Sequence, residues 1–136
     1  MEKSLVLIKP DAVRKNLIGK IISMYEENNL KVIYLRMGKI TEEFASKHYE
    51  EHIGKSFYKP LLSFITSGPL CALVLEGENA IERIRDINGN TNPEIAKEGT
   101  IRKIYSNNKT ENCVHASDSL DSARREIELW FGEEVK

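Results

Sequence analysis

Leu70-Cys71-Ala72-Leu73-Val74-Leu75 and Leu5-Val6-Leu7-Ile8 are unbroken apolar runs. A strand with one face in water alternates apolar and polar residues. A run without alternation suits a central strand buried on both faces. The first strand stops at Lys9-Pro10-Asp11, because proline cannot continue a ladder and Asp11 can cap a helix. Lys9 therefore stands at the C-terminal end of a buried strand, a common place for ligands to bind. Val32 to Met37, rich in β-branched and large apolar residues, reads as a further strand.

The helical stretches fall between these runs. Ile18, Ile21, Ile22 and Tyr25 mark one face, ending near Asn28-Asn29. Thr41 caps a short helix carrying Phe44, Ala45, His48 and Tyr49, and Ser56 is placed to cap another with Phe57, Leu61, Phe64 and Ile65. After Gly77, Asn79 is placed to cap a helix with Ala80, Ile81, Ile84 and Ile87, which ends at Gly89-Asn90. Leu120, Ala123, Ile127, Trp130 and Phe131 form a last amphipathic helix, with Asp118 and Ser119 as cap candidates. This order predicts an α/β (α+β) chain of ferredoxin-like split βαβ type. Its four-stranded, mostly antiparallel sheet is covered by helices, expected on one face. The 136 residues suit a single domain, 1–136.

Hydrophobic residues make up 40% and charged residues 30%, a composition that buries an ordinary core without staples. A net charge of −1 argues against a general nucleic-acid binder. Cys71 and Cys113 have no metal-binding spacing and read as reduced thiols. With no signal-like start and no apolar stretch near 18 residues, the expected location is cytoplasmic, away from membranes.

Gly89 to Glu111 shows no hydrophobic period and is about twice the usual length of a structureless connection. Thr91-Asn92-Pro93 and Gly99-Thr100-Ile101-Arg102 within it look like specified turns, so a functional loop is expected. It leads into Asn112-Cys113-Val114-His115-Ala116-Ser117-Asp118-Ser119, which places His115 on a short strand or turn feeding a helix start. Imidazole is nucleophilic and largely neutral near pH 7. Glu126, about two turns into the helix, could fix its tautomer. Gly54-Lys55-Ser56 is not a phosphate-cradling loop, since Tyr49 stands where that motif needs glycine, and G-x-G-x-x-G is absent from the sequence. Phosphate would have to be held by side chains: Lys9, Arg85, Thr91 and Arg102 are the candidates.

Asn112-x-x-His115-x-Ser117-Asp118-Ser119 resembles the signature around the phosphorylated histidine of the nucleoside diphosphate kinases. Ile8-Lys9-Pro10-Asp11-Ala12-Val13, His48-Tyr49, Ser67-Gly68-Pro69, Thr91-Asn92-Pro93 and Gly99-Thr100-Ile101-Arg102 match that family too, in order. The likeness spans residues 3 to 133, and the short C-terminus is similar to the shorter bacterial members. It implies ping-pong transfer of the γ-phosphate of a nucleoside triphosphate, mainly ATP, through phosphohistidine at His115. It implies a catalytic group of His115, Lys9, Tyr49 and Glu126, with Ser117 behind them. It further implies that Phe57 stacks on the base with Leu61 beside it, that Lys9 and Asn112 contact the sugar, and that Arg85, Thr91 and Arg102 hold phosphates. Magnesium (Mg2+) arrives with the nucleotide, without a protein metal site. The implied partners are ATP, GTP, CTP, UTP, their deoxy forms and the diphosphates, and the implied assembly is a homotetramer or homohexamer built from dimers.

Ala116 departs from the family, which usually has glycine after the histidine; a positive φ there would cost alanine on the order of 1 kcal/mol. Lys109 stands where many members are apolar near the base. Two rival readings are an RNA-binding module and a non-catalytic nucleotide sensor on the same fold. The apolar strands at Leu5–Ile8 and Leu70–Leu75 carry no aromatic residue for base stacking, against the first. His115, Lys9, Tyr49 and Glu126 together stand against the second.

Overall fold

The computed structural model describes residues 1–132; the end of the expected domain, 133–136, lies outside the described residues. The elements run β1 (Glu2–Ile8), α1 (Pro10–Arg14), α2 (Ile18–Glu27), β2 (Lys31–Gly38), α3 (Glu42–His48), a 3-10 turn (Glu50–His52) and α4 (Tyr58–Ile65). Then come β3 (Leu70–Gly77), α5 (Ala80–Asn88), α6 (Ile101–Tyr105), β4 (Val114–Ala116) and α7 (Leu120–Phe131). The four strands form one sheet in the order β2-β3-β1-β4, with every pairing antiparallel. This is the expected split βαβ arrangement of an α+β fold.

Helices pack on both faces of the sheet, not one. Val6 and Ile8 point into a core with Ile21, Tyr25, Ile84 and Ile101 of α2, α5 and α6. Leu5 and Leu7 point the other way, into a core with Ala45, Ile65, Ala123, Ile127 and Trp130 of α3, α4 and α7. Successive side chains of a strand alternate faces, so unbroken apolar runs require cover on both. The edge strand β2 is exposed over much of its length.

Several expected caps are replaced. Lys9 occupies the position before α1, and the Asp11 carboxylate instead accepts from the Cys113 N–H at 3.1 Å. Phe57, not Ser56, precedes α4, with no side-chain cap. Asn79 precedes α5 in the left-handed region, φ 51°, again without a side-chain cap bond. Thr41 and Ser119 do cap, accepting from the N–H groups of Phe44 and Ser122.

The long loop contains a helix. Thr100 Oγ1 accepts from Lys103 N–H and caps α6, which buries Ile101. A five-residue helix carries too little periodicity to be seen in sequence. Its start leans on Gly89, where φ is +87° and an added Cβ would stand 2.5 Å from Thr100 Oγ1 and 2.7 Å from Thr100 Cβ. Gly89→Ala combines a left-handed backbone with overpacking and should destabilise the protein by roughly 2–4 kcal/mol. Urea melts of the two proteins measure the loss.

Candidate active site

The β1–β4 pairing sets His115. Leu7 opposes His115 across the ladder, and Val114 and Ala116 turn into the core of α2, α5 and α6. His115 therefore faces the other side, where α7 and α3 lie. Its Nε2 lies 2.8 Å from Glu126 Oε1. An ionised carboxylate only accepts, so Nε2 carries the proton and Nδ1 keeps the lone pair. The histidine side chain is 24% exposed and the Glu126 side chain 7%, so the nucleophile is open while its orienting partner is not. Glu126 Oε1 also accepts from the Ser117 hydroxyl at 2.9 Å, and Ser117 Oγ accepts from the Leu5 N–H at 3.1 Å. Glu126 is thus tied to the central strand.

His48 closes the other side of the imidazole, its ring perpendicular to that of His115 with centroids 4.7 Å apart. The Trp130 indole N–H donates to His48 Nδ1 at 3.1 Å. Burial, and then the neighbouring His115, hold His48 well below the usual histidine range, so it stays neutral at pH 7. Tyr49 follows it, buried, its phenol pushed up by burial and by Glu126.

These groups open onto a cavity of about 980 Å³, large enough for a nucleotide. Lys9, Arg85, Thr91, Arg102 and Asn112 line it with His115, as do Tyr49, Leu61 and Glu126. Lys9 Nζ donates to Asn112 Oδ1 at 2.6 Å, and Asn112 Nδ2 donates to the carbonyls of Lys109 (2.9 Å) and Thr91 (3.3 Å). Burial, with Arg102 next in effect, pushes the Lys9 ammonium down to about 8. Arg102 donates to three carbonyls: Nη1 to Gly89 at 2.8 Å, Nη2 to Val114 at 2.7 Å and Nε to Asn112 at 3.3 Å. Each Nη keeps a further hydrogen for a ligand. Exposed Arg85 of α5 lines the same wall. The wall is cationic, and among the described residues no three of His, Cys, Asp and Glu cluster to hold a metal ion.

A family model described as "Nucleoside diphosphate kinase" matches residues 2–135. The chain belongs to that family. A nucleoside diphosphate kinase of Clostridium perfringens is 59% identical over 131 residues, covering 96% of this chain and 92% of that one. A nucleoside diphosphate kinase of Sulfurisphaera tokodaii is 50% identical over 134 residues, covering 98% and 91%. Among solved structures, the Aquifex aeolicus nucleoside diphosphate kinase aligns with TM-score 0.93 at 39% identity, covering 96% of this chain and 94% of that one. The Halobacterium salinarum nucleoside diphosphate kinase, solved in complex with CDP, aligns with TM-score 0.93 at 42% identity, covering 96% and 87%. As a member of the nucleoside diphosphate kinase family, this chain is a phosphotransferase.

Ala116, the departure from the family pattern, lies in β4 opposite Val6. Among the described residues, the non-glycine residues at positive φ are Asn16, Asn29, Asn79 and Cys113, and Ala116 is not one of them. Its methyl fits an extended backbone without strain. His48 and Arg125 also touch the catalytic group. His48 was part of the matching His48-Tyr49 segment and a position on the apolar face of α3 but was given no role, and Arg125 was not singled out from sequence. Arg125 straps α7 to α3, its Nη2 donating to the His48 carbonyl at 3.5 Å and lying 4.0 Å from Glu126 Oε2.

Phe57 stands outside the cavity wall, 45% exposed, with its ring 5.2 Å from that of His52 at a steep angle. That exposure removes the alternative that it is core. Phe57→Ala should lower stability by less than about 1 kcal/mol, where a buried phenylalanine would cost roughly 3–5 kcal/mol. Ligand-free thermal or urea melts check this.

Proposed function

We propose that this chain passes the γ-phosphate of a nucleoside triphosphate, mainly ATP, to a nucleoside diphosphate in two half-reactions through His115. In the first, Nδ1 attacks the γ-phosphorus, the bond to the β-bridging oxygen breaks, and the diphosphate leaves with that electron pair. In the second, a terminal oxygen of another diphosphate attacks the phosphohistidine, and Nδ1 recovers its lone pair. The observation that carries this reading is the 2.8 Å bond from His115 Nε2 to buried Glu126. It fixes the tautomer and stabilises the positive charge that the ring acquires on phosphorylation.

The other roles follow from charge and position. Lys9, Arg85, Thr91 and Arg102 hold the phosphates, Asn112 and Lys9 contact the sugar, and Tyr49 lies by the transferred group. Phe57 stacks on the base with Leu61 beside it, so that a base held by its face is weakly discriminated. This accommodates ATP, GTP, CTP, UTP, their deoxy forms and the diphosphates. Mg2+ fits this cationic wall as an ion carried by the nucleotide phosphates, where it screens their charge. Residues 1–136 act as one domain, and the working form is a homotetramer or homohexamer of dimers in the cytoplasm. Among the described residues no helix is long and apolar enough to cross a membrane.

Incubation with γ-labelled ATP should leave acid-labile label on the protein, and His115→Ala should abolish both label and phosphotransfer while nucleotide binding persists. Substantial turnover by His115→Ala would sink the mechanism; no label on the native protein would favour a sensor. Ala116→Gly should change turnover by less than about tenfold, ~1.4 kcal/mol in barrier, because the strand already accepts the methyl. Steady-state transfer from ATP to a nucleoside diphosphate compares the two; a hundredfold faster glycine variant would overturn this.

A further inference from the structure

Asp11 is buried among the groups that shape the phosphate end of the cavity, yet its carboxylate is not on the cavity wall. Its Oδ2 accepts from the Cys113 N–H at 3.1 Å, while the Cys113 carbonyl accepts from the Lys9 N–H at 2.8 Å. The segment Lys9–Asp11 thus grips one residue from both its backbone groups. That residue is bent: Cys113 has φ +72°, a left-handed conformation costly for any side chain but glycine. The bend turns Asn112 so that its Oδ1 meets Lys9 Nζ at 2.6 Å. Asp11 Oδ1 has no hydrogen-bond partner, so half of a buried carboxylate is compensated by charge alone.

We propose that Asp11 is a positioning residue for nucleotide binding, its carboxylate holding the Asn112–Cys113 turn against Lys9 and placing a negative charge at the turn that Lys9 Nζ contacts. The inference rests on the reading that Lys9 and Asn112 bind the nucleotide. The charged and titratable groups facing Lys9 are Arg102 of α6, Cys113, His48 of α3 and Asp11 of α1. Arg102 works against its charge; Asp11 works for it. Lys9 loses its charge as pH rises through about 8, and without Asp11 it would lose it at lower pH.

Asp11→Asn keeps an oxygen for the Cys113 N–H and removes the charge. In nucleotide-free protein, an NMR titration of the Lys9 side chain, assigned with Lys9→Met, should show the midpoint falling by about one pH unit. Calorimetric Kd values for Mg-ADP should match the native protein within about twofold at pH 6 and be about fivefold weaker at pH 8, the loss expected from that shift. Asp11→Leu, which also removes the acceptor, should bind more weakly at both pH values. An unmoved Lys9 midpoint in Asp11→Asn overturns the proposal and leaves the phosphotransfer reading intact. A native Kd for Lys9→Met instead overturns Lys9 as a nucleotide ligand, and the proposal with it. If Asp11→Leu does not fold, the Asp11→Asn titration still decides.

Discussion

The site depends on β1 being hydrogen-bonded on both edges. It pairs with β3 from Glu2↔Gly77 to Ile8↔Cys71 and with β4 from Val6↔Ala116 to Ile8↔Val114. The pairing with β3 holds β1 in place, and the β4 side and the end of β1 deliver the functional groups. The register Leu7↔His115 sends the nucleophile to the α7 side, the end of β1 delivers Lys9, and the Leu5 N–H anchors Ser117 and through it Glu126. A one-residue slip of β4 would turn His115 into the opposite core. The catalytic geometry is therefore a property of ladder register rather than of loop conformation.

The site also concentrates polar groups that an ordinary core would exclude. Lys9, Asp11, Asn112, Ser117 and Glu126 are all buried. Their donors and acceptors are largely matched to one another and to backbone, which limits the desolvation cost. The match is incomplete at Asp11 Oδ1, which has no hydrogen-bond partner. Lys9 is pushed down to about 8, burial being the largest cause and Arg102 the next. The hydrogen bonds of Lys9 and Arg102 hold both cations in place on the cavity wall.

Much of this was legible in the chain. The unbroken runs at Leu5–Ile8 and Leu70–Leu75 identified the two central strands, and the spacing from Leu120 to Phe131 identified α7. Those same runs already implied helices on both faces, although one face was expected. His115, Lys9, Asn112 and Arg102 could be named because the segments around them resemble a known family, and the structure brings them to one cavity. Four things were not legible. A helix as short as α6 has no period to read. The starts of α4 and α5 carry no side-chain cap bond, although Ser56 and Asn79 were placed to supply one. Asp11 looked like a cap because aspartate before a helix usually is one; its real partner is a hundred residues away in sequence, beyond any local rule. The role of His48 was not legible, although His48-Tyr49 matched the family, because its contacts to His115 and Trp130 depend on how α3 docks.

Arg102 ties the end of α5 at Gly89 to the Asn112 turn and the adjoining edge strand at Val114. One guanidinium thus serves as a keystone. If the segment from Gly89 to Val114 opens locally, the Arg102 guanidinium on the cavity wall and the strand bearing His115 are released together. Disturbing one guanidinium would therefore loosen the segment that leads into β4, and with it the setting of His115, as well as the cavity wall.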